Sequence, residues 1–180
     1  MNNQKNTTKV VTGIVRLSYA NVWEATSING GTPKYSVSLI IPKSDTKTID
    51  AINAAVDAAI KEGASKFGGK IPNKAALKLP LRDGDTERDD EAYKDSFFVN
   101  ANSTTAPQIV DRAVQPILDR AEVYSGCYAR VSINFYAFKT NTAKGIACGL
   151  QNVQKLRDGD PLGGHSRAED DFADDDDFLD

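Results

Sequence analysis

The sequence predicts a mainly β fold with one substantial helix and a disordered acidic tail, and three observations predict it. The stretch Gly126–Lys139, GCYARVSINFYAFK, alternates in character along a full strand length. Only Pro42–Gly63 repeats apolar residues at clear helical spacing. All 22 Lys and Arg lie within residues 1–167, whereas eight of the 25 acidic residues lie in 168–180, so a body of +5 carries a tail of −8. A mildly basic body with an acidic tail is a charge asymmetry that suggests a protein handling nucleic acid.

The long strand carries the most information. Successive strand side chains point to opposite faces. Cys127, Ala129, Val131, Ile133, Phe135 and Ala137 make one wholly apolar face, expected to be buried. Tyr128, Arg130, Ser132, Asn134, Tyr136 and Phe138 make the other. Rings interleaved with a cation and amides form a platform on which bases stack while phosphates are neutralised. The plainer reading packs Tyr136 and Phe138 under a loop and leaves Arg130 merely exposed.

In chain order, residues 1–8 are polar and expected to be disordered. Lys9–Tyr19 reads as the first strand, with Val11, Val15, Leu17 and Tyr19 on one face. Gly13 within it suggests a bulge or sharp curvature, as a small closed barrel requires. Trp23 is either a core anchor or a stacking ring. Ser27–Pro33 is a turn-rich loop. Lys34–Ile41 follows as a strand with Tyr35, Val37, Leu39 and Ile41 on one face, and Lys34 near the loop is a phosphate candidate.

The helix spans Pro42–Gly63, capped by Ser44 or Asp45 and ended by Gly63, with Ile49, Ile52, Val56 and Ile60 facing the sheet. Lys66–Lys78 is a basic stretch, either a flap over phosphate or a solvated loop. Leu79–Asp95 is an acidic turn region matching only a fragment of a calcium loop. Ser96–Ala101 is a short strand, and Pro107–Ile117 an edge strand interrupted by Pro116. Thr140–Lys144 is a tight loop and Gly145–Val153 the last strand, so a hairpin tip carries Lys139 and Lys144. Residues 157–167 read as a linker, and 168–180 as a tail too charged to bury itself.

Much chemistry is absent. The single histidine, His165, lies in the linker, which removes histidine general-base catalysis from a packed site. Two cysteines, Cys127 and Cys148, sit in apolar strand patterns and are expected as buried free thiols, too few for a zinc cluster. Neither a phosphate-cradling GxxxxGK[ST] nor a GxGxxG at a strand–helix junction occurs. No catalytic residue, metal site or cofactor is expected. No apolar run approaches the ~20 residues of a membrane span, and the N-terminus lacks a signal-peptide core, which places the chain in the cytoplasm without a membrane partner.

Five or more strands with one helix, ending in a long hairpin, fit an OB-fold, a small Greek-key barrel that often binds single strands. The stretches GIVRLSYANVWEA, KYSVSLIIPKSD, GCYARVSINFYAF and GIACGLQNVQKLRDGDPLGG together resemble a family of phage proteins long labelled a domain of unknown function. Members of that family are recognised as single-stranded-DNA-binding proteins. The resemblance runs from about residue 9 to 164. It implies a barrel domain over 9–156 that binds single-stranded DNA in the cytoplasm of an infected bacterial host. The tail is similar to those of bacterial and phage single-stranded-DNA-binding proteins, which recruit replication and repair partners. It departs from the bacterial Pro-Phe ending by closing on Phe178-Leu179-Asp180, which favours phage-encoded partners.

The expected interface is therefore Tyr128, Arg130, Tyr136 and Phe138, with Lys34, Lys139 and Lys144 on the phosphates and Trp23 and Tyr35 as secondary rings. The expected partner-binding tail is Phe172, Asp174, Asp175, Asp176, Asp177, Phe178, Leu179 and Asp180, which would bind replication or recombination proteins and compete with DNA. A body of only +5 predicts moderate affinity, to be raised by cooperative coating or homo-oligomerisation. Two other classes are open: an interaction protein or DNA mimic that acts through the tail alone, and a metal-dependent nucleic-acid enzyme using the 83–95 carboxylates.

Overall fold

A computed structural model describes residues 7–27 and 30–162. Eight strands form one sheet: β1 (Lys9–Val11), β2 (Val15–Thr26), β3 (Lys34–Pro42), β4 (Arg82–Asp83), β5 (Ser96–Ser103), β6 (Gln108–Val110), β7 (Tyr128–Lys139) and β8 (Lys144–Arg157). Five of them close on themselves in the order β2-β3-β5-β8-β7 and back to β2. The β5–β8 pairing is parallel and the other four are antiparallel. This is the Greek-key barrel of an OB-fold. Closure removes the unpaired edges that an open sheet of this size would expose.

The barrel interior is filled by alternate residues. Ala129, Val131, Ile133 and Phe135 of β7 meet Val15 and Leu17 of β2, Val37, Leu39 and Ile41 of β3, Val99 and Ala101 of β5, and Cys148 and Leu150 of β8. The apolar face expected for residues 127–137 is buried throughout. Cys127 and Cys148 are buried and free, and burial pushes both thiols up.

The helix α1 runs Thr46–Glu62, with the Asp45 carboxylate accepting from the Thr48 amide at 3.2 Å. It buries Ile52, Ala55, Val56, Ala59 and Ile60, and packs across β1, β7 and β8. Among the described residues no helix is long and apolar enough to cross a membrane.

Several expectations are corrected. The first strand is two strands, because the chain kinks at Thr12–Ile14. Gly13 donates its amide to Thr48 Oγ1 at 2.9 Å, and a side chain there would strike the Asp45 carboxylate. The kink reverses the faces: Val10 is buried while Val11 is 54% exposed. Farther on, Ser18 pairs with Ser38 but Asn21 with Ser36, so β2 carries one extra residue, and Tyr19 is exposed instead of sharing the inner face with Leu17. Thr8, expected in a disordered N-terminus, is buried, its hydroxyl bonded to Asn134 Oδ1 at 2.8 Å. Residues 66–78 are not a free flap. Lys66 bonds the Ala137 carbonyl, Lys74 pairs with Asp57, and Lys78 makes backbone bonds to Lys144 and Ile146 of β8. The expected edge strand 107–117 shrinks to β6, with Ile117 folding back onto Ile109.

Residues 158–162, expected in a linker, form a packed strap. Arg16 donates to the Asp160 carbonyl at 2.7 Å, and Leu162 donates its amide to the Ser125 carbonyl. Lys155, nearly buried, holds Asp158 at 2.6 Å and Glu122 at 3.0 Å. Burial would lower the Lys155 pKa, but these two carboxylates more than offset it and the net direction is upward. Lys155 and the Tyr124 hydroxyl together hold Asp158 below the usual carboxylate range. Gly126 lies under the strap at φ 117°, where a side chain would collide with the Asp160 carbonyl oxygen.

Two outcomes are expected. Gly126→Ala combines backbone strain with overpacking and should cost about 2–4 kcal/mol in urea denaturation; an unchanged midpoint would contradict the strap packing. Because the folded Asp158 pKa is depressed, its contribution is present above the unfolded value of 3.8 and is lost as pH falls through the folded one. The stability of Asp158→Asn should therefore fall less steeply below pH 4 than that of the unaltered chain, as followed by denaturant midpoints.

Candidate nucleic-acid interface

Outward side chains of the closed barrel line up across neighbouring strands, because paired residues share a face. One row runs Asn21 (β2), Ser36 (β3), Asn102 (β5), Gly149 (β8) and Asn134 (β7). It contains amides, a hydroxyl and a glycine, and no carboxylate. Asn21 Nδ2 donates to Ser36 Oγ at 3.4 Å. The ring of Tyr136 leans over Gly149, its Cε1 3.6 Å from where a Cβ would stand there. Tyr136 is 43% exposed. At the β3 end, Thr26, Gly31, Thr32, Lys34, Ser36 and Asn102 line a depression of ≈ 350 Å³.

A second row runs Arg157 (β8), Tyr128 (β7), Arg16 (β2), Ile40 (β3), Phe98 (β5) and Arg82 (β4). The guanidinium of Arg157 lies 4.4 Å and that of Arg16 5.6 Å from the Tyr128 ring centre. Such contacts favour the ring's electron-rich face. The middle of this row is covered. Ile40, Tyr93 and Phe98 form a small outer core, with the Tyr93 and Phe98 rings edge-to-face at 5.2 Å. Ala92 and Leu162 pack on it, and Arg88 lies 4.5 Å over Phe98.

The expected site residues are therefore spread out. Tyr128 and Tyr136 are eight residues apart on β7, about 26 Å at strand rise. Tyr128 is half-buried and flanked by two guanidiniums. Arg130 is exposed, with Nε bonded to the Thr12 carbonyl at 3.1 Å. Phe138 is half-buried next to the exposed Tyr136. Lys34 and Lys139 are exposed at their loops, and Lys144 is half-buried opposite Lys139. Trp23 and Tyr35 pack against the barrel core, and Trp23 donates Nε1–H to the Val123 carbonyl at 3.1 Å. Both are half-buried, with part of each ring packed on the core. The tail residues Phe172, Asp174–Asp177, Phe178, Leu179 and Asp180 lie outside the described residues.

Residue-by-residue reading did not single out Arg16, Arg157, Ser36 and Asn102, which the register brings into these rows. The parity of β2 already put Arg16 on an outer face, but Arg157 was assigned to a linker. Asn102 of β5 lies beside Ser36 and Gly149 only through the register of β5 with β3 and β8.

In the acidic region two of the carboxylates are engaged by one lysine. Lys43 pairs with Asp83 at 2.9 Å and Asp85 at 2.7 Å. Its ammonium holds Asp85 below the usual carboxylate range. Among the described residues no three His, Cys, Asp or Glu side chains group to hold a metal ion.

Comparison with known proteins agrees with this architecture. The ssDNA-binding protein of bacteriophage Enc34, solved in complex with ssDNA, superposes with a TM-score of 0.77 at 23% identity, covering 91% of this chain and 97% of that one. The single-stranded DNA binding protein gp2.5 of bacteriophage T7 gives 0.62 at 16% identity, covering 93% of each. Protein p50 of Acyrthosiphon pisum secondary endosymbiont phage 1 is 33% identical over 165 residues, 87% of each chain. The model of the family described as Enterobacter phage Enc34, ssDNA-binding protein, matches residues 8–179, and the chain belongs to that family.

Proposed function

We propose that this protein binds and coats single-stranded DNA, largely without sequence preference, in phage DNA replication, recombination or repair, and that it does so without catalysis. The observation that carries the reading is the carboxylate-free outer row from Asn21 to Asn134, with Tyr136 over it and Lys34 at its end. A base stacked on an aromatic ring contributes about 1–3 kcal/mol whatever its identity. Tyr136 supplies such a ring, and Phe138 widens it. Lys34, Arg130, Lys139 and Lys144 carry no ion pair with a described carboxylate, so they are available to phosphates. Family membership supports the same reading.

The acidic tail is the regulatory part of this proposal. Leu162, the last described residue, packs on Ile40, Tyr93 and Phe98, which belong to the outer face of the strands β3 and β5 that also carry Ser36 and Asn102. The tail of −8 over 168–180 competes with phosphate for the same cations and, displaced by DNA, presents Phe172, Phe178 and Leu179 to replication or recombination proteins. Cooperative coating or self-association of the modestly charged body adds affinity along a strand.

Titration with poly-dT across a salt series tests the surface. Four phosphate-neutralising cations predict a slope of log K against log salt of about −3. Tyr136→Ala should weaken binding about 5- to 100-fold with that slope unchanged; Lys34→Ala should reduce the slope by about 0.7. Wild-type affinity in Tyr136→Ala would remove the stacking role. A chain truncated after Ser166 should bind poly-dT more tightly than the full chain at low salt and equally at high salt, and no gain at low salt would contradict the competition.

A further inference from the structure

The β2 bulge turns outward an aromatic ring that a regular strand would have kept on its inner face. Tyr19 has φ 47°, in the left-handed region that non-glycine residues seldom occupy. It holds the extra position between the Ser18–Ser38 and Asn21–Ser36 pairs. A bulge residue with this conformation is ordinarily a glycine. The conformation is held from several sides: Ser125 Oγ accepts from the Ala20 amide at 2.9 Å, and Asn21 Nδ2 reaches the Tyr19 carbonyl at 3.3 Å. The result is a ring that is 65% exposed, while Leu17 and Val22 on either side stay buried.

Strained backbone held by its surroundings is found preferentially where function uses it. Tyr19 lines a cleft of ≈ 780 Å³ between β2, residues 123–125 and the strap at Pro161–Leu162. Asn21, the next polar residue of the same wall, begins the carboxylate-free row. Across the cleft stands Asp90, which disfavours phosphate on that side. A nucleic-acid backbone passing on the Lys34 side would bring a base, and not a phosphate, onto Tyr19.

We infer that Tyr19 is a base-stacking residue for single-stranded DNA, and that the β2 bulge exists to present it. The inference rests on the proposed DNA-binding function and extends the surface from Tyr136, over the row, to β2.

Glycine relieves the left-handed backbone, so Tyr19→Gly separates stacking from stability. The expected result is a urea midpoint equal to or above wild type with poly-dT affinity lowered about 5- to 100-fold. Tyr19→Phe should bind as wild type does. Asparagine also tolerates this conformation, so Tyr19→Asn serves the same purpose if the glycine variant fails to fold. Photo-crosslinking of an iodouracil-substituted oligo-dT to the full chain should yield a peptide containing Tyr19. Tyr19→Gly or Tyr19→Asn binding within twofold of wild type, or crosslinks that avoid Tyr19, would overturn the inference while leaving DNA binding intact. Failure of the wild-type chain to bind poly-dT would overturn both.

Discussion

The register of β7 is the constraint on which the rest depends. Its twelve residues pair with β1, β2 and β8, and through them the barrel closes. Side chains alternate with a period of two, so a slip of one residue would carry Arg130, Ser132 and Asn134 into the interior and Val131, Ile133 and Phe135 out of it. Burying unpaired polar groups is expensive, and the inward residues of β7 pack among apolar side chains. The same alternation that fills the core therefore dictates what faces outward. Once β8 pairs with β7 and β5, Gly149 falls between Asn134 and Asn102, and the polar row assembles with no further instruction.

Function on this barrel follows from what the outer rows exclude as much as from what they contain. Among the described residues, acidic side chains are densest in the 83–95 segment and are partly neutralised there by Lys43 and Arg82. That segment, with Leu162, covers the lower part of β3 and β5 and leaves the upper part open. The row between Lys34 and Tyr136 is the surface proposed for a polyanion.

Much of this was legible in the sequence. Parity in Gly126–Lys139 identified the buried face correctly, helical spacing placed α1 within a few residues, and the charge division pointed to nucleic acid. The failures share one physical cause: an inserted residue or a kink changes which face a side chain occupies, and neither is visible in a periodic pattern. Gly13 and the extra residue at Tyr19 together inverted the expected faces of Val11 and Tyr19. Long-range register was equally hidden. Nothing near Asn102 in the chain signals that Gly149 lies beside it, and nothing near Arg157 signals Tyr128. Trp23 and Tyr35 could be seen to pack on the core only once the core around them was known.

The central claim is that single-stranded DNA lies along the outer row between β2 and β7. Backbone amide chemical-shift mapping of the full chain, titrated with oligo-dT, tests it most directly. The account predicts the largest shifts at Tyr19–Asn21, Lys34–Ser36, Asn100–Asn102, Asn134–Tyr136 and Ala147–Gly149, with α1 unperturbed. Shifts concentrated on α1 or on the 111–119 loop, with these five segments unmoved, would contradict it.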